Sequence, residues 1–548
     1  DLSIPVVVYG FLSALSERIK AFLEDEMSYI YTKEQQEFKD KIREFALKEV
    51  APDMDRIDRE AEYPLRTVKM LGELGYLGMP FPKEYGGGEI DYLRYVMAVE
   101  EMSKICPSHG VIIQTHNALC CWPIFTYGTE EQKRKYLPKL LRGEHIGCFG
   151  LTEPNAGTDA AMQQTIAVDC GDHWVLNGSK MFISGGAVAD VAVVMAMTDK
   201  SKGTKGISAF IVEKTFPGFY TGKTEDKMGI RGSTVTELVF DDCIVPKENL
   251  LGEQGKGFKV AMSSLDVGRL GIAAQALGIA QGAFDMTVEY MKMREQFGKN
   301  LSKYQALAFE MATLKTKIEG ARLLLYNAAE IREKGLPNTT ETAAMAKLAC
   351  SEVAMEVTTK AVQFHGGYGY IKDLPIERFM RDAKITQIYE GTSQVMKLVI
   401  SGNIFAGKKK EAKEPCKFVT PAELAAVLKA EKGEVICSGG RGLRKTGNFE
   451  IIEQLAKALS GSVGASRGAV AEGWIEEAKQ VGMTGRKVAP HVYVACGISG
   501  MMQHLAGIAE ADIVVAINKN AEAPIFAAAD YGIVGDLYEI IPQIIENL

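Results

Sequence analysis

Apolar and polar residues follow a helical period along the first part of the chain. In Phe38–Val50, FKDKIREFALKEV, apolar residues recur three and four positions apart, as is typical of an amphipathic helix. Pro52, Pro80 and Gly86–Gly88 interrupt this pattern and mark the ends of helices. The pattern therefore predicts a helical domain over residues 27–144.

The hydrophobic period then changes to that of strands. The runs WVLNGSKMFIS, VAVVMAM and ISAFIVE, all within residues 174–213, are rich in β-branched and aromatic residues. Glycine and asparagine turns separate them. They predict a small β domain over residues 145–255.

A second helical domain is predicted over residues 256–406. Gly257–Met293 contains no proline and has a helical pattern. Glycines interrupt this helix at spacings that let a neighbouring helix approach closely, at some cost in helix propensity. They are Gly268, Gly271, Gly278 and Gly282.

The end of the chain alternates strands and helices. Strands are predicted at EVICSGG, HVYVACGIS and DIVVAIN, with helices at FEIIEQLAKAL and DLYEIIPQIIENL. This alternation predicts an α/β domain with an open parallel sheet over residues 433–548. Residues 407–432 are predicted to be a linker with a short helix, because Thr420 begins a capping pattern. Its lysine-rich part, Lys408–Lys417, is expected to be solvated, and the flexible piece Gly407–Val419 is expected to span at most about 40 Å.

Composition limits the class of protein. A chain of 548 residues is too long for one core, and its net charge of −7 argues against nucleic acid as the main partner. No run of 18 apolar residues occurs, so no membrane span is expected. The ten cysteines include no C-x-x-C pair, which favours a reduced, cytoplasmic protein over a disulfide framework or a metal site. Residues 1–26 are expected to be an extension, and they lack the basic start of a secretory signal.

One acidic residue stands beside a tight glycine corner in Arg381–Met396, RDAKITQIYEGTSQVM. In isolation, Glu390-Gly391-Thr392 is more often a surface helix end. In this position, however, the Glu390 side chain can accept a proton while its backbone N–H donates to a substrate carbonyl. Glu390 is thus a candidate catalytic base, with Gly391 against the substrate, and a resemblance of the whole segment to a known family favours this role over a surface helix end.

This corner resembles that of the acyl-CoA dehydrogenases, flavoenzymes that remove the α and β hydrogens of acyl-CoA thioesters. The resemblance continues through most of the chain, in GLTEPNAGTDA and in LDVGRLGIAAQALGIAQGA, which look most like the short-chain, butyryl-CoA branch. It implies a multidomain α+β fold, with a helical domain, a β domain and a helical bundle. It also implies FAD as cofactor, a trans-2-enoyl-CoA product and a homotetramer built as a dimer of dimers.

The resemblance assigns residues to the flavin and to CoA. Asp266 and Arg269 would contact CoA, Arg269 near the adenosine end, although their i, i+3 spacing alone favours an intrahelical ion pair. Thr158 would lie near both CoA and the flavin. The flavin ring and pyrophosphate would be lined by Phe149, Leu151, Thr152, Gly157, Phe182, Ile183, Ser184, Thr392, Ser393 and Gln394.

Other residues are implied to reach the FAD of a neighbouring subunit, so that this site exists only in an oligomer. A lone histidine such as His365 is more often a satisfied structural residue. The set comprises Arg294, Gln305, Gln363, Phe364, His365, Gly366 and Gly367.

The last domain resembles the C-terminal FAD-binding domain of the electron transfer flavoprotein alpha subunit. The matching stretches are SGGRGL, VGASR, VGMTG, GISGMMQHLAG, AINK and ADYGIVGDL. Arg467 and His504 would place positive charge or hydrogen-bond donors by a second flavin, whereas Met483 replaces a glutamine that is usual in this family. The implied FAD-binding residues are Arg441, Ser466, Arg467, Thr484, Ser499, Gly500, Gln503, His504, Asn518, Asp536 and Leu537.

Two resemblances in one chain predict a dehydrogenase with two FAD groups and its own electron acceptor domain. Two alternatives stay open. The chain could instead reduce enoyl-CoA in an electron-bifurcating complex with a beta-type flavoprotein partner. The last domain could also be a flavin-free docking module.

Overall fold

A computed structural model describes residues 31–405 and 416–548. These residues form two compact units, which divide after Phe405. The predicted extension, residues 1–26, and the linker residues 407–415 lie outside the described ranges. No helix in the described ranges is both long and apolar enough to cross a lipid bilayer.

The first unit opens with helices, as its hydrophobic period predicts. A capping box at Thr32 starts the first helix, because its hydroxyl accepts from the Gln35 N–H and the Gln35 side chain accepts from the Thr32 N–H. The helices are α1 (Lys33–Phe45), α2 (Met54–Glu60), α3 (Leu65–Glu73), α4 (Tyr92–Ile105), α5 (Pro107–Thr115), α6 (Trp122–Tyr127) and α7 (Glu130–Leu141).

A β domain follows, with its strands in the order β6-β7-β3-β2-β4-β5-β8 and β1 paired to β4. Every residue of the central strand β4 is buried, which explains its uninterrupted apolar sequence. The strands are β1 (Gly147–Gly150), β2 (Ile166–Asp169), β3 (His173–Ser184), β4 (Val191–Met197), β5 (Ile207–Glu213), β6 (Phe219–Thr224), β7 (Val235–Pro246) and β8 (Leu250–Leu251).

A bundle of long helices closes the first unit. The predicted close approach is confirmed, since a Cβ on Gly278 or Gly282 would lie 2.3 or 2.4 Å from a carbonyl oxygen of α4. A short hairpin, β9 (Glu295–Gln296) and β10 (Lys299–Asn300), joins the first two helices. The helices are α8 (Gly257–Met293), α9 (Gln305–Glu333), α10 (Thr339–His365), α11 (Gly367–Tyr370), α12 (Ile376–Thr386) and α13 (Ser393–Phe405).

The second unit is an α/β domain whose strands are all parallel, in the order β11-β17-β16-β15-β12-β13-β14. The strands are β11 (Lys417–Phe418), β12 (Val435–Gly439), β13 (Ser462–Ser466), β14 (Gln480–Val481), β15 (Val492–Cys496), β16 (Ile513–Asn518) and β17 (Tyr531–Val534). The helices are α14 (Pro421–Ala430), α15 (Glu450–Ala458), α16 (Arg467–Ala471), α17 (Met502–Leu505) and α18 (Leu537–Asn547). The predicted α+β class, with an open parallel sheet at the end, is confirmed.

The linker differs in part from its prediction. The short helix is present as α14, and Thr420 caps it with Glu423 in a capping box. However, Lys417 and Phe418 pair with β17, and the Val419 N–H donates to the Gly532 carbonyl at 3.1 Å. Lys417 and Phe418 are exposed, as a solvated segment predicts, but the flexible piece does not extend to Val419, because backbone pairing with β17 holds these residues.

Candidate active site

The predicted corner lies in the turn between α12 and α13. Glu390 and Gly391 both have positive φ angles, +53° and +97°. Glycine adopts this conformation readily, but for a glutamate it is strained and persists only where the surroundings impose it. The strain fixes the direction in which the Glu390 side chain leaves the turn.

Within the described ranges, only one oxygen of the Glu390 carboxylate has a hydrogen-bond partner. Its Oε1 atom accepts a hydrogen bond from Gln114 Nε2 at 2.7 Å, and the same amide donates to the Gly268 carbonyl at 3.0 Å. Its Oε2 atom is buried and has no hydrogen-bond partner within the described ranges. A buried oxygen without a partner is costly in a finished fold, and it suits an atom that receives a proton from a ligand.

Burial also sets the basicity of this group. It raises the pKa of Glu390 to about 7, while the hydrogen bond from Gln114 and the charges of Lys347 and Arg269 act in the opposite direction. A carboxylate with this pKa is about half ionised at neutral pH and is a stronger base than an exposed glutamate.

Arg269 and Asp266 form the ion pair that their spacing predicts. Arg269 Nη1 donates to Asp266 Oδ1 at 2.6 Å, and Thr340 donates to the other oxygen of Asp266 at 2.7 Å. Arg269 is 6% exposed, and a Cβ on Gly391 would lie 3.7 Å from its Nη2 atom. Arg269 thus lies under the corner, on the same side as Glu390.

A cleft of about 380 Å³ borders this ion pair. The Arg332 guanidinium lies over the rings of Tyr92 and Trp122, at 5.0 and 5.3 Å from their centroids. Ser263, Asp266, Gly335, Thr339 and Thr340 complete its lining. The cleft combines a cation, aromatic faces and hydroxyl groups beside the Asp266–Arg269 ion pair.

A strained aromatic residue marks the predicted flavin wall. Phe182 has a φ of +59° and is 60% exposed, and the pairing of β3 with β7 shifts register between Lys180 and Ile183. A bulge of this kind redirects side chains at the edge of a site. Ile183 is buried and Ser184 is half-buried.

The loop that follows β1 is tied to this strand. The Met181 N–H donates to the Thr152 carbonyl at 2.8 Å. The fully buried Lys180, next to Met181 in β3, donates to Glu153 at 2.6 Å and to the Leu151 carbonyl at 3.4 Å. Within this loop and β1, Leu151 is buried, Phe149 and Thr152 are half-buried, and Gly157 and Thr158 are exposed.

Residues after the corner have mixed environments. The Thr392 hydroxyl accepts from the Val395 N–H, and Ser393 is buried with its hydroxyl donating to Glu352 at 2.6 Å. Gln394 is exposed. The Ser393 hydroxyl proton is therefore used within the fold, and its backbone N–H also donates, to the Gln387 carbonyl at 3.0 Å.

The residues predicted to reach a neighbouring subunit lie at helix ends. The Arg294 guanidinium, just after α8, lies 5.8 Å from the Tyr368 ring and thus beside the turn after α10. His365 is buried, bonds to the Ala361 carbonyl at 2.8 Å and stacks on Tyr290, as a structural histidine does. Gln305, Gln363, Gly366 and Gly367 are exposed, and Phe364 is half-buried.

In the second unit, the predicted residues all lie at or after the carboxyl ends of parallel strands. The strand order reverses between β12 and β15, which is where open α/β sheets bind ligands. Chain order places the residues at the last position of, or after, β12 (Arg441), β13 (Ser466, Arg467), β14 (Thr484), β15 (Ser499, Gly500, Gln503, His504), β16 (Asn518) and β17 (Asp536, Leu537). One edge of the sheet therefore collects all of them.

Contacts within this edge refine the prediction for His504. Its Nε2 atom bonds to the Tyr493 hydroxyl at 3.0 Å, and its Nδ1 atom is buried without a partner within the described ranges. Burial lowers the pKa of His504 to about 4. With this pKa His504 is neutral at pH 7, so of the pair Arg467 and His504 only Arg467 carries a positive charge.

Comparison with known proteins agrees with both halves of this description. Models of the N-terminal, middle and C-terminal domains of acyl-CoA dehydrogenase match residues 32–144, 148–243 and 255–405. The model of the electron transfer flavoprotein FAD-binding domain matches residues 419–509. A short-chain specific acyl-CoA dehydrogenase of Clostridium acetobutylicum is 59% identical over 379 residues, which cover 69% of this chain and 100% of that protein.

The chain belongs to the acyl-CoA dehydrogenase family. Butyryl-CoA dehydrogenase of Megasphaera elsdenii, a solved structure, is 50% identical with a TM-score of 0.67, covering 69% of this chain and 100% of its own. Another solved chain, described with the electron transferring flavoprotein of Acidaminococcus fermentans and flavin-based electron bifurcation, is 55% identical with a TM-score of 0.68. It covers 70% of this chain and 100% of its own.

The residues of this acyl-CoA dehydrogenase fit FAD in each unit. In the first unit, the exposed and strained Phe182 offers an aromatic face, and a Cβ on Gly157 or Gly185 would meet only open space. In the second unit, the loops after β12 and β15 meet so closely that a Cβ on Gly440 would lie 2.3 Å from the Gly497 carbonyl oxygen. Such glycine loops at strand ends suit a dinucleotide.

Four functional residues escaped the prediction from sequence. Gln114 and Lys347 contact the corner, while Lys180 and Glu153 hold the loop beside Phe182. Gln114 and Lys347 each interrupt an apolar run, VIIQTHNAL and AAMAKLAC. A polar residue inside a run that predicts burial was the available signal.

Proposed function

We propose that this chain is an FAD-dependent short-chain acyl-CoA dehydrogenase that carries its own electron acceptor domain. The short-chain class is supported by the names of its relatives in Clostridium acetobutylicum and Megasphaera elsdenii. The observation that carries the proposal is the buried Oε2 atom of Glu390, an unpartnered base within the described ranges. The domain boundaries predicted from the sequence are part of the same proposal.

The chemistry assigned to the chain is removal of the α-proton of a thioester. This C–H group is a very weak acid, so the base must gain strength as the substrate excludes water. Glu390 would accept the proton on Oε2, while its backbone N–H donates to the thioester carbonyl and stabilises the developing negative charge. When bound, FAD supplies the acceptor for the hydride from the β-carbon, and a trans-2-enoyl-CoA results.

The substrate would enter along the cleft beside α8. Asp266 and Arg332 line this cleft, and Arg269 lies under the corner. We therefore assign Arg269 to the thioester end of CoA and not to the adenosine end, because its guanidinium is buried next to Gly391. Gly391 and Thr158 remain proposed substrate contacts.

The flavin-binding residues remain proposals as the sequence predicts them. In the first unit, Phe149, Leu151, Thr152, Gly157, Phe182, Ile183, Ser184, Thr392, Ser393 and Gln394 are proposed to contact one FAD. A second set is proposed to complete that site across a subunit interface, in a homotetramer. It comprises Arg294, Gln305, Gln363, Phe364, His365, Gly366 and Gly367. A cytoplasmic location is also proposed, because the ten cysteines include no C-x-x-C pair and favour a reduced protein.

The second unit would hold a second FAD, so two per chain are proposed. Residues 406–415 join the units, and ten residues span at most about 36 Å. A tether this short raises the local concentration of the acceptor domain at its own oligomer. Electron transfer would then not depend on diffusion of a separate carrier.

A second candidate function runs the reaction in reverse. One relative of known structure is described with flavin-based electron bifurcation, which favours reduction of enoyl-CoA by a complex that includes a beta-type partner. A third candidate keeps the dehydrogenase and makes the second unit a flavin-free docking module. The number of FAD groups per chain separates the docking module from the other two.

Anaerobic mixing with saturated acyl-CoA thioesters of increasing chain length tests the proposal. Butyryl-CoA is expected to bleach the flavin absorbance fastest and to yield the enoyl product, with slower bleaching by longer thioesters. If no thioester bleaches the flavin, whereas crotonyl-CoA is reduced when a beta-type partner and NADH as the electron donor are added, the reverse function replaces the dehydrogenase.

A further inference from the structure

A lysine with a fully buried side chain reaches the corner from α10. Lys347 is 0% exposed, and its ammonium group donates to the Gly391 carbonyl at 2.7 Å. Burial lowers the pKa of Lys347 to about 8, and the nearby Glu390 opposes this shift. Burying an amine is costly unless it is paired, so this position points to a specific use of the charge.

Several groups face the corner, and they act in different directions. Arg269 from α8 and Lys347 from α10 favour the ionised form of Glu390. Gln114 from α5 donates to it, and burial keeps Tyr95 from α4 and Tyr389 protonated by raising the pKa of each well above its ordinary value. Glu352 from α10 is bonded to Ser393 and Gln387, at 2.6 and 2.9 Å.

Of the two cations, Lys347 is the one that also holds the backbone of the turn. Arg269 is tied to Asp266 at 2.6 Å, so part of its charge is already compensated. Lys347 instead contacts the carbonyl of Gly391, in a turn where two successive residues have positive φ. A strained turn keeps one geometry only while its neighbours hold it.

We propose that Lys347 is a positioning residue for proton abstraction: it fixes the turn through the Gly391 carbonyl, and its charge keeps the Glu390 carboxylate ionised. The inference rests on the proposed function, in which Glu390 is the base. It adds to that function a residue, Lys347, that sets the pH range in which Glu390 is ionised.

The test compares Lys347→Met and Lys347→Gln with the wild type, in the full chain with FAD bound. The rate of flavin bleaching by butyryl-CoA is measured from about pH 5 to about pH 9. Glu390 must be ionised to accept a proton, so the wild-type rate is expected to rise with pH through about 7. Without the cation, the carboxylate is less favoured and this rise moves to higher pH.

We expect both substitutions to shift the increase of bleaching rate to a pH about one unit higher. At pH values below this increase, each variant should therefore be bleached about tenfold more slowly than the wild type. Lys347→Gln keeps a donor for Gly391, so its rate at high pH is expected to exceed that of Lys347→Met. Lys360→Met is the control. It removes a lysine from the same helix about 20 Å away, where Lys360 pairs with Glu310 at 2.8 Å.

An unchanged position of the rise in both Lys347 variants overturns the inference, even if the rate at high pH falls, because a merely structural lysine would lower only that rate. If Lys347→Met does not fold, Lys347→Gln decides in the same way. Failure of the proposed function is distinguishable, since the wild type would then not be bleached by any acyl-CoA.

Discussion

Gly268 leaves room for the carboxylate of the candidate base because it has no Cβ atom. A Cβ at this position would lie 1.9 Å from Oε2 of Glu390 and 3.0 Å from Nε2 of Gln114. No side chain relaxes such an overlap without moving the carboxylate. The glycine in α8 is therefore required by the site, although it weakens the helix.

Replacing Gly268 with alanine is expected to displace the carboxylate and to slow flavin bleaching by butyryl-CoA by about 100-fold or more, since misplaced catalytic groups lose their proximity. FAD content and fold should be retained, as measured by absorbance and circular dichroism. The matched control is Gly320→Ala in α9, where a Cβ meets no atom within 4 Å. Equal rates for both variants and the wild type would show that the space beside Gly268 is not needed.

Among the residues of the site, the sequence predicts Glu390 but neither Gln114 nor Lys347. Glu390 was predictable because its chemistry and its glycine corner are neighbours in the chain. Gln114 lies 276 positions from Glu390, and Lys347 lies 44 positions from Gly391. Their contacts depend on how α5 and α10 pack, which no local pattern encodes.

At the scale of elements, a buried ion pair holds the loop after β1 against β3. Lys180 is 0% and Glu153 is 4% exposed, and the lysine also bonds to Gln163 at 3.1 Å. The pair joins the segment that carries Thr152 to the bulge that carries Phe182. Its integrity is therefore a condition for the proposed flavin wall.

Substituting Lys180 with methionine leaves Glu153 buried and unpaired, which is expected to destabilise the protein by about 3–5 kcal/mol. FAD content is expected to fall because the loop loses its anchor. Thermal unfolding and flavin absorbance measure both effects. Lys223→Met is the control, since its exposed pair with Glu225 at 3.3 Å contributes at most about 1 kcal/mol. A stable Lys180→Met protein with full FAD would contradict this role.

Elements with local signals were predictable, and those that depend on pairing were not. Thr420 and Glu423 form a capping box from adjacent residues, so α14 follows from the sequence. In contrast, β11 exists because Lys417 and Phe418 pair with Tyr531 and Gly532, more than a hundred positions later. A lysine-rich segment gives no sign of such a partner.

At the scale of the whole molecule, each of the two units is proposed to bind one FAD. The purified full chain, with any completing partner present, is expected to contain about two FAD per chain. Arg467→Ala is expected to lower this number towards one, because it removes a positive charge that is proposed to lie beside the second flavin. Lys457→Ala on the exposed side of α15 is the control. One FAD per chain in the wild type would favour the docking module.

The central claim is that Glu390 removes the α-proton, and Glu390→Gln tests it most directly. Glutamine keeps the size of the side chain and an oxygen for the bond from Gln114, but it does not accept the proton. The variant should keep its FAD, while bleaching by butyryl-CoA should slow by about 10²–10⁴-fold relative to the wild type. The control is Glu356→Gln, at a partly exposed glutamate of α10 that pairs with Lys317 at 2.6 Å, and it should keep the wild-type rate. Bleaching at the wild-type rate in Glu390→Gln would contradict the account.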